Sequence, residues 1–195
     1  MSDSQRANNE ASPTTTGAGV DEAPASAPEL LHGVPVTHSR GQRVVHPSRA
    51  DYVKVIRALK ADGYNMCVDL CAVDYLSNET RSLPDGVAAE RFEIAVNLVS
   101  HSLRGRIRLR VQVPEADPTL ASLYDVHAGT EAMEREAYDL MGIEFTGHPD
   151  LSRILLPDDW EGHPLRKDYA TGRIPVQFKA TAAAAAVKHG SSQGA

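Results

Sequence analysis

The sequence predicts an α+β fold: a small mixed or antiparallel sheet covered by helices, with an extended C-terminal arm. Three observations predict it. Two adjacent runs alternate apolar and polar residues with period two, the signature of half-buried strands. Helical spacing of apolar residues recurs before and after that pair. From residue 147 the chain loses all period and becomes rich in Pro and Gly. The 195 residues are enough to bury a core without disulfides or metals.

Residues 1–29 form an acidic leader of Ser, Ala, Thr, Pro, Asn and Gly, with no aromatic residue. Such a segment cannot bury enough apolar surface to offset its ordering entropy, so it is expected to be disordered. It lacks the basic start and apolar stretch of a secretory signal. Asp3, Glu10, Asp21, Glu22 and Glu29 against Arg6 give it a net charge of −4, out of −6 for the whole chain. The expected α+β domain spans 30–146. Pro47-Ser48-Arg49-Ala50-Asp51 opens its first helix, with Ser48 as cap and Asp51 at capping-box spacing. Tyr52, Ile56 and Leu59 line one side of that helix, and Gly63 ends it. Residues 64–76 read as a strand and 77–89 as a loop.

Phe92, Ile94, Val96 and Leu98 then alternate with Glu93, Ala95, Asn97 and Val99. After a short link, Ile107, Leu109, Val111 and Val113 alternate with Arg106, Arg108 and Arg110, preceded by Leu103 and Arg104. The short polar link makes an antiparallel hairpin the natural pairing. Asp117-Pro118 reads as the start of a second helix with Leu120, Leu123 and Tyr124 on its buried side. Thr130 reads as the cap of a third helix, which runs to Met141 and stops at Gly142. Residues 147–179 form the expected subunit-docking arm, with Ile154, Leu155, Leu156, Trp160 and Leu165 as anchors for a surface outside the chain. Residues 180–195, an Ala run with a Gly/Ser end, are expected to be a flexible tail.

Several classes of function lack support. The acidic balance argues against nucleic-acid binding. No stretch reaches the roughly 18 apolar residues of a membrane span. There is no glycine-rich phosphate loop, no G-x-G-x-x-G and no G-x-S-x-G elbow. Two cysteines are too few to hold an iron–sulfur cluster, which takes about four ligands. Cys67 and Cys71 stand four apart in a strand, on one face but out of disulfide reach, and are expected as buried free thiols.

Four features could carry function. Glu134, Arg135, Glu136 and Asp139 crowd the third helix. With Glu131 they read either as a ladder of i,i+4 surface ion pairs or as paired carboxylates for acid–base work. His148 and His163 sit in two Gly-His-Pro turns among Asp150, Asp158, Asp159 and Asp168, with spacing unlike a zinc site. Arg104, Arg106, Arg108 and Arg110 should project from one strand face, toward solvent or an acidic partner, with Glu93 as one cross-strand partner. The Pro/Gly-punctuated arm is the fourth.

The run from 134 to 169 carries a resemblance. It reads Glu134-Arg135-Glu136-Ala137-Tyr138-Asp139-Leu140-Met141-Gly142-Ile143, then Gly147-His148-Pro149-Asp150-Leu151, Arg153-Ile154-Leu155, and Gly162-His163-Pro164-Leu165-Arg166-Lys167-Asp168-Tyr169. It closely resembles the signature region of the thirty-kilodalton subunit family of proton-pumping NADH:quinone oxidoreductase, respiratory complex I. Two positions depart from the family pattern: Glu131-Ala132-Met133 replaces an aromatic, and Ser152 replaces a basic residue.

The resemblance implies a non-catalytic structural subunit of the hydrophilic arm, inactive in isolation and binding no cofactor itself. The complex would carry FMN and iron–sulfur clusters and pass electrons from NADH to a quinone. The implied partners are the subunits that hold the terminal cluster and build the quinone cavity. The implied location is the cytoplasmic face of the cell membrane, peripheral, through the complex alone. Glu134, Arg135, Glu136, Asp139, His148, Arg153, His163, Arg166, Lys167, Asp168 and Tyr169 are then expected as assembly residues, joined by Trp160 and the four arginines of the strand pair. Two alternatives stand beside this: the equivalent subunit of a membrane-bound hydrogenase or ferredoxin-fed complex, and a small metal-dependent hydrolase using the helix carboxylates and both histidines.

Overall fold

The computed structural model describes residues 29–78 and 80–170. Residues 1–28 of the leader, the distal arm from 171 and the Ala-rich tail lie outside these residues. The architecture is a six-stranded mixed sheet with two helices packed into its core, and a separate two-stranded pair.

Strands β1 (Leu30–Leu31), β2 (Val34–Ser39) and β3 (Gln42–Val45) come first. The sequence reading assigned no element here, because runs this short carry too few alternations to register. Helix α1 (Tyr52–Ala61) follows, and buries Tyr52, Val55, Ile56 and Leu59 at helical spacing. Ser48 does not cap it. Its hydroxyl donates to Asp51 Oδ2 at 2.8 Å and accepts from the Asp51 N–H at 3.2 Å, closing the turn just ahead of the helix.

Strands β4 (Met66–Asp74), β5 (Phe92–Ser100) and β6 (Gly105–Val113) complete the sheet in the order β1-β2-β3-β6-β5-β4. All neighbours are antiparallel except β3 and β6, which run parallel. The hairpin of β5 and β6 holds the expected register: Ile94 faces Val111, Val96 faces Leu109 and Leu98 faces Ile107, all in the core. The opposite face carries Asn97 across from Arg108 and Ala95 across from Arg110. Arg104 is not on this strand. It sits in the preceding turn with φ of +48°, so three arginines share the face rather than four.

A bulge between Cys67 and Asp69 shifts the register of β4. Cys67 therefore pairs with core-facing Leu98, while Cys71 pairs with outward-facing Ala95. The two thiols lie on opposite faces, and the exposed Cys71 corrects the expectation of a buried pair.

The expected helix at 117 does not form. Asp117 accepts from the Thr119 hydroxyl at 2.7 Å, and Arg49 Nη1 donates to the Asp117 and Thr119 carbonyls at 3.0 and 3.1 Å. This turn launches β7 (Thr119–Ala121), which pairs in parallel with β8 (Glu144–Thr146). Local side-chain bonds outcompete the weak helix signal of Asp-Pro. Leu120 and Leu123 are buried as expected, from an extended backbone. Helix α2 (Glu131–Met141) ends at Gly142, with φ of +71°.

Candidate functional site

The candidate site is built around α2 and the chain that returns over it from 147 to 170. The ladder of ion pairs expected along α2 is absent: Glu134, Arg135 and Asp139 are engaged elsewhere, and Glu131 and Glu136 are exposed. Glu134 is fully buried. It accepts from the Ser122 hydroxyl at 2.6 Å, the Leu123 N–H at 2.7 Å and the Thr130 hydroxyl at 3.1 Å. Burial raises its pKa against those three donors, and the net direction is upward. Its work is to tie the β7 segment to the first turn of α2.

Asp139 does the corresponding work at the other end. It is fully buried, and its Oδ2 accepts from the Ile154, Leu155 and Leu156 N–H groups at 3.1, 2.8 and 2.9 Å. Its Oδ1 accepts from Arg153 Nη1 at 2.6 Å. Burial alone would raise this carboxyl, but the backbone donors and Arg153 outweigh it and hold the pKa down at about 2. Arg153 reaches on to the Trp160 carbonyl at 2.8 Å and the Gly162 carbonyl at 3.3 Å. One carboxylate thus gathers three turns of an otherwise irregular segment.

Arg135 points to the same segment, donating to the Ser152 carbonyl and hydroxyl at 3.1 and 2.9 Å and to the Arg153 carbonyl at 2.9 Å. The Ser152 hydroxyl accepts a hydrogen bond that the basic side chain expected at this position could not. Glu136 stays exposed and lines a groove with Leu70, Met133, Leu140 and Leu165.

The two histidines are far apart. His148 lies 3.1 Å from the Glu131 carbonyl, at the start of α2. His163 lies 2.9 Å from the Asp139 carbonyl, near its end. Eight helical residues separate those anchors, about 12 Å along the axis. They cannot share one metal ion, and no group of three potential metal ligands occurs among the described residues. Gly142 makes the approach of His163 possible: a Cβ there would meet His163 and Arg166 atoms at 2.6 Å.

The end of the segment is fixed by residues the sequence reading did not single out. Asp74 and Arg91, at the adjoining ends of β4 and β5, form a buried pair at 3.0 Å. Arg91 also pairs with Asp168 at 2.7 Å and with Glu115. Asp74 accepts from the Lys167 N–H at 2.8 Å and the Leu76 N–H at 2.9 Å. Burial opposes ionisation of Asp74, but Arg91 and the two N–H groups prevail and lower its pKa. Arg166 Nε donates to the Met141 carbonyl at 2.7 Å, with its guanidinium 5.1 Å from the Phe92 ring centre. Tyr169 is half-buried against Gly162, whose Cβ position lies 3.0 Å from its ring. The Lys167 side chain is exposed and Trp160 half-buried. No short-range signal marks Arg91, because its partners are scattered from 74 to 168.

Arg110 Nε pairs with buried Glu93 at 2.7 Å, the cross-strand partner expected for this row. Arg108 Nε donates to Asn97 at 2.9 Å, and Arg106 is exposed. The backbone of the returning segment is thus tied to the domain at Ile154–Leu156 and Lys167, and through Arg153 at Trp160 and Gly162, while Ile154, Leu165 and Leu155 remain 40%, 50% and 62% exposed.

A family model described as the respiratory-chain NADH dehydrogenase 30 kDa subunit matches residues 45–174. The chain is 42% identical over 157 residues to the NADH-quinone oxidoreductase C subunit of Roseiflexus castenholzii, covering 79% of this chain and 83% of that one. It is 43% identical over 146 residues to the corresponding protein of Geobacter metallireducens, covering 73% and 85%. Among solved structures, a trypsin-resistant fragment of Nqo5 superposes with a TM-score of 0.54 at 36% identity, over 61% of this chain and 90% of that one. A chain of an archaeal membrane-bound sulfane sulfur reductase shares the fold, with a TM-score of 0.60 at 17% identity, over 76% and 88%.

Proposed function

The chain belongs to the respiratory-chain NADH dehydrogenase 30 kDa subunit family, and from that premise we infer that it is a structural, non-catalytic subunit of the hydrophilic arm of NADH-quinone oxidoreductase. Electron transfer from NADH to quinone, through the flavin and iron–sulfur clusters of such a complex, then takes place on other subunits. We infer that attachment to the membrane runs through the complex; no helix of the described residues is long and apolar enough to cross a membrane.

One observation carries this reading best. Residues 147–170 are tied to their own domain through the Ile154, Leu155 and Leu156 N–H groups, Arg153 and Asp168, yet present Ile154, Leu155 and Leu165 outward. A fixed backbone with outward aliphatic side chains is the anatomy of an interface anchor, because little ordering entropy remains to be lost on docking. The occupants we infer are the subunits that hold the terminal cluster and enclose the quinone, on the cytoplasmic face of the membrane. Exposed Arg106 of β6, with the half-buried Arg108 beside it, offers a second contact for acidic surfaces. The buried charges Glu134, Asp139 and Arg153 support assembly indirectly, by holding the anchor segment in shape.

The test is purification of the tagged full chain from detergent-solubilised membranes at low salt, with its companions identified by mass spectrometry. Iron–sulfur and membrane subunits together with NADH-to-quinone activity are expected. A hydrogenase large subunit in their place would change the electron donor, and a solitary chain with stoichiometric metal would overturn the reading.

A further inference from the structure

We propose that the chain's own acidic leader, through Asp21 and Glu22, docks on a basic corner of the open sheet face and covers it before assembly. The corner is formed where two turns meet. Parallel pairing sets Arg43 beside Ile107, which brings the β2–β3 turn with Arg40 next to the β5–β6 turn with Arg104. Arg106 and Arg108 continue from that turn along β6. Arg40, Arg104 and Arg106 are exposed, and none has a carboxylate partner among the described residues.

A depression of about 210 Å³ lies beside them, lined by Gln42, Val68, Asp69, Asn97, Arg106 and Arg108. Its internal bonds leave it basic. Asp69 accepts from the Asn97 amide at 3.1 Å, and the Asn97 oxygen accepts from Arg108 Nε at 2.9 Å. Arg108 is therefore held in one orientation, with its terminal nitrogens unpartnered among the described residues. A guanidinium fixed in this way is ready for two-pronged contact with a carboxylate.

The leader joins the fold at Glu29, on the sheet edge beside β2. The Val36 N–H donates to the Glu29 carbonyl at 2.9 Å, and Glu29 lies 3.6 Å from His38. Strand β1 is antiparallel to β2, so the backbone from Leu31 back to Glu29 runs alongside β2 in the direction of Ser39 and Arg40. Glu22 is seven residues upstream, a reach of up to about 23 Å. Three strand spacings separate β1 from β6, about 14 Å. The leader is acidic, and its tether makes the contact intramolecular, with an effective concentration on the order of millimolar. This goes beyond the assembly reading: it describes the chain before partners arrive, which an acidic partner surface would then displace.

The experiment is arginine modification by phenylglyoxal, resolved by peptide mass spectrometry, on the full-length chain and on the full-length Asp21→Asn/Glu22→Gln variant. At low ionic strength Arg106 and Arg108 are expected to react about two- to fivefold faster in the variant. That difference should vanish at high salt, and Arg57 on α1 should react alike in both chains. Equal rates at low salt would overturn the proposal. So would protection that survives high salt, or protection that scales with protein concentration, which would make the cover a second copy. The measurement uses the isolated chain, so its failure is distinct from a failure to recover partner subunits.

Discussion

Replacing Asp139 with Asn removes one charge and leaves three backbone donors and a guanidinium facing a weaker acceptor. The expected cost is about 3 kcal/mol in a urea unfolding curve, the range for breaking one side of a buried charged network. The pH dependence follows the same carboxyl. Its pKa falls from 3.8 to about 2 on folding. The stability it contributes is therefore present above pH 4 and is lost as pH falls toward 2, about 2 kcal/mol in all. His46 acts earlier in an acid titration. It is 2% exposed with Nε2 2.8 Å from the Thr37 hydroxyl. Burial, aided by Arg110 and opposed by Glu93, lowers its pKa from 6.5 to about 4. The folded state binds that proton less readily than the unfolded chain, so stability should fall as pH drops from about 6.5 to 4. A His46→Gln variant should weaken this first phase, leaving the part due to His127, whose pKa burial also lowers, and thermal unfolding across pH 4–7 would show it.

The elements most legible in the sequence were those with sustained period. Helices α1 and α2 and the β5–β6 hairpin stand where periodicity placed them, because burial of one face drives both the pattern and the structure. Strands β1 to β3 were illegible because they are short and their pairing is set at a distance, by β6. The strand at 119 was misread as a helix because the local turn bond between Asp117 and Thr119 is held by Arg49, whose own bonds to both residues span about 70 positions. The residues of the candidate site were legible as types, through Glu134, Asp139, Arg153 and His163. Their partners were not, since a backbone N–H at 154–156 carries no sequence signal. The returning segment yields its own prediction. Gly142→Ala forces a Cβ into His163 and Arg166 in a left-handed conformation. It should cost about 1–3 kcal/mol and admit protease between 147 and 170 at lower enzyme dose. Arg91→Ala should strand Asp74 in the core, costing about 3–5 kcal/mol, and should loosen the same segment from its Asp168 end.

At the scale of the molecule, we propose that the fold presents the exposed side chains of Ile154, Leu155 and Leu165, and the basic end of β6, to other chains. That account separates two kinds of residue. Changes at Asp139, Gly142 or Arg91 should lower stability first and assembly as a consequence. Changes at Ile154 or Leu155 should leave the isolated chain intact, because both side chains are largely in solvent. The measurement that tests this most directly is replacement of the chain in cells by the Leu155→Asp variant, followed by native separation of solubilised membranes and in-gel NADH oxidation. The account predicts that the purified variant unfolds within about 0.5 kcal/mol of the parent, while the active complex falls severalfold and the variant accumulates outside it. Full incorporation of Leu155→Asp with undiminished activity would contradict the claim that residues 147–170 are the docking surface.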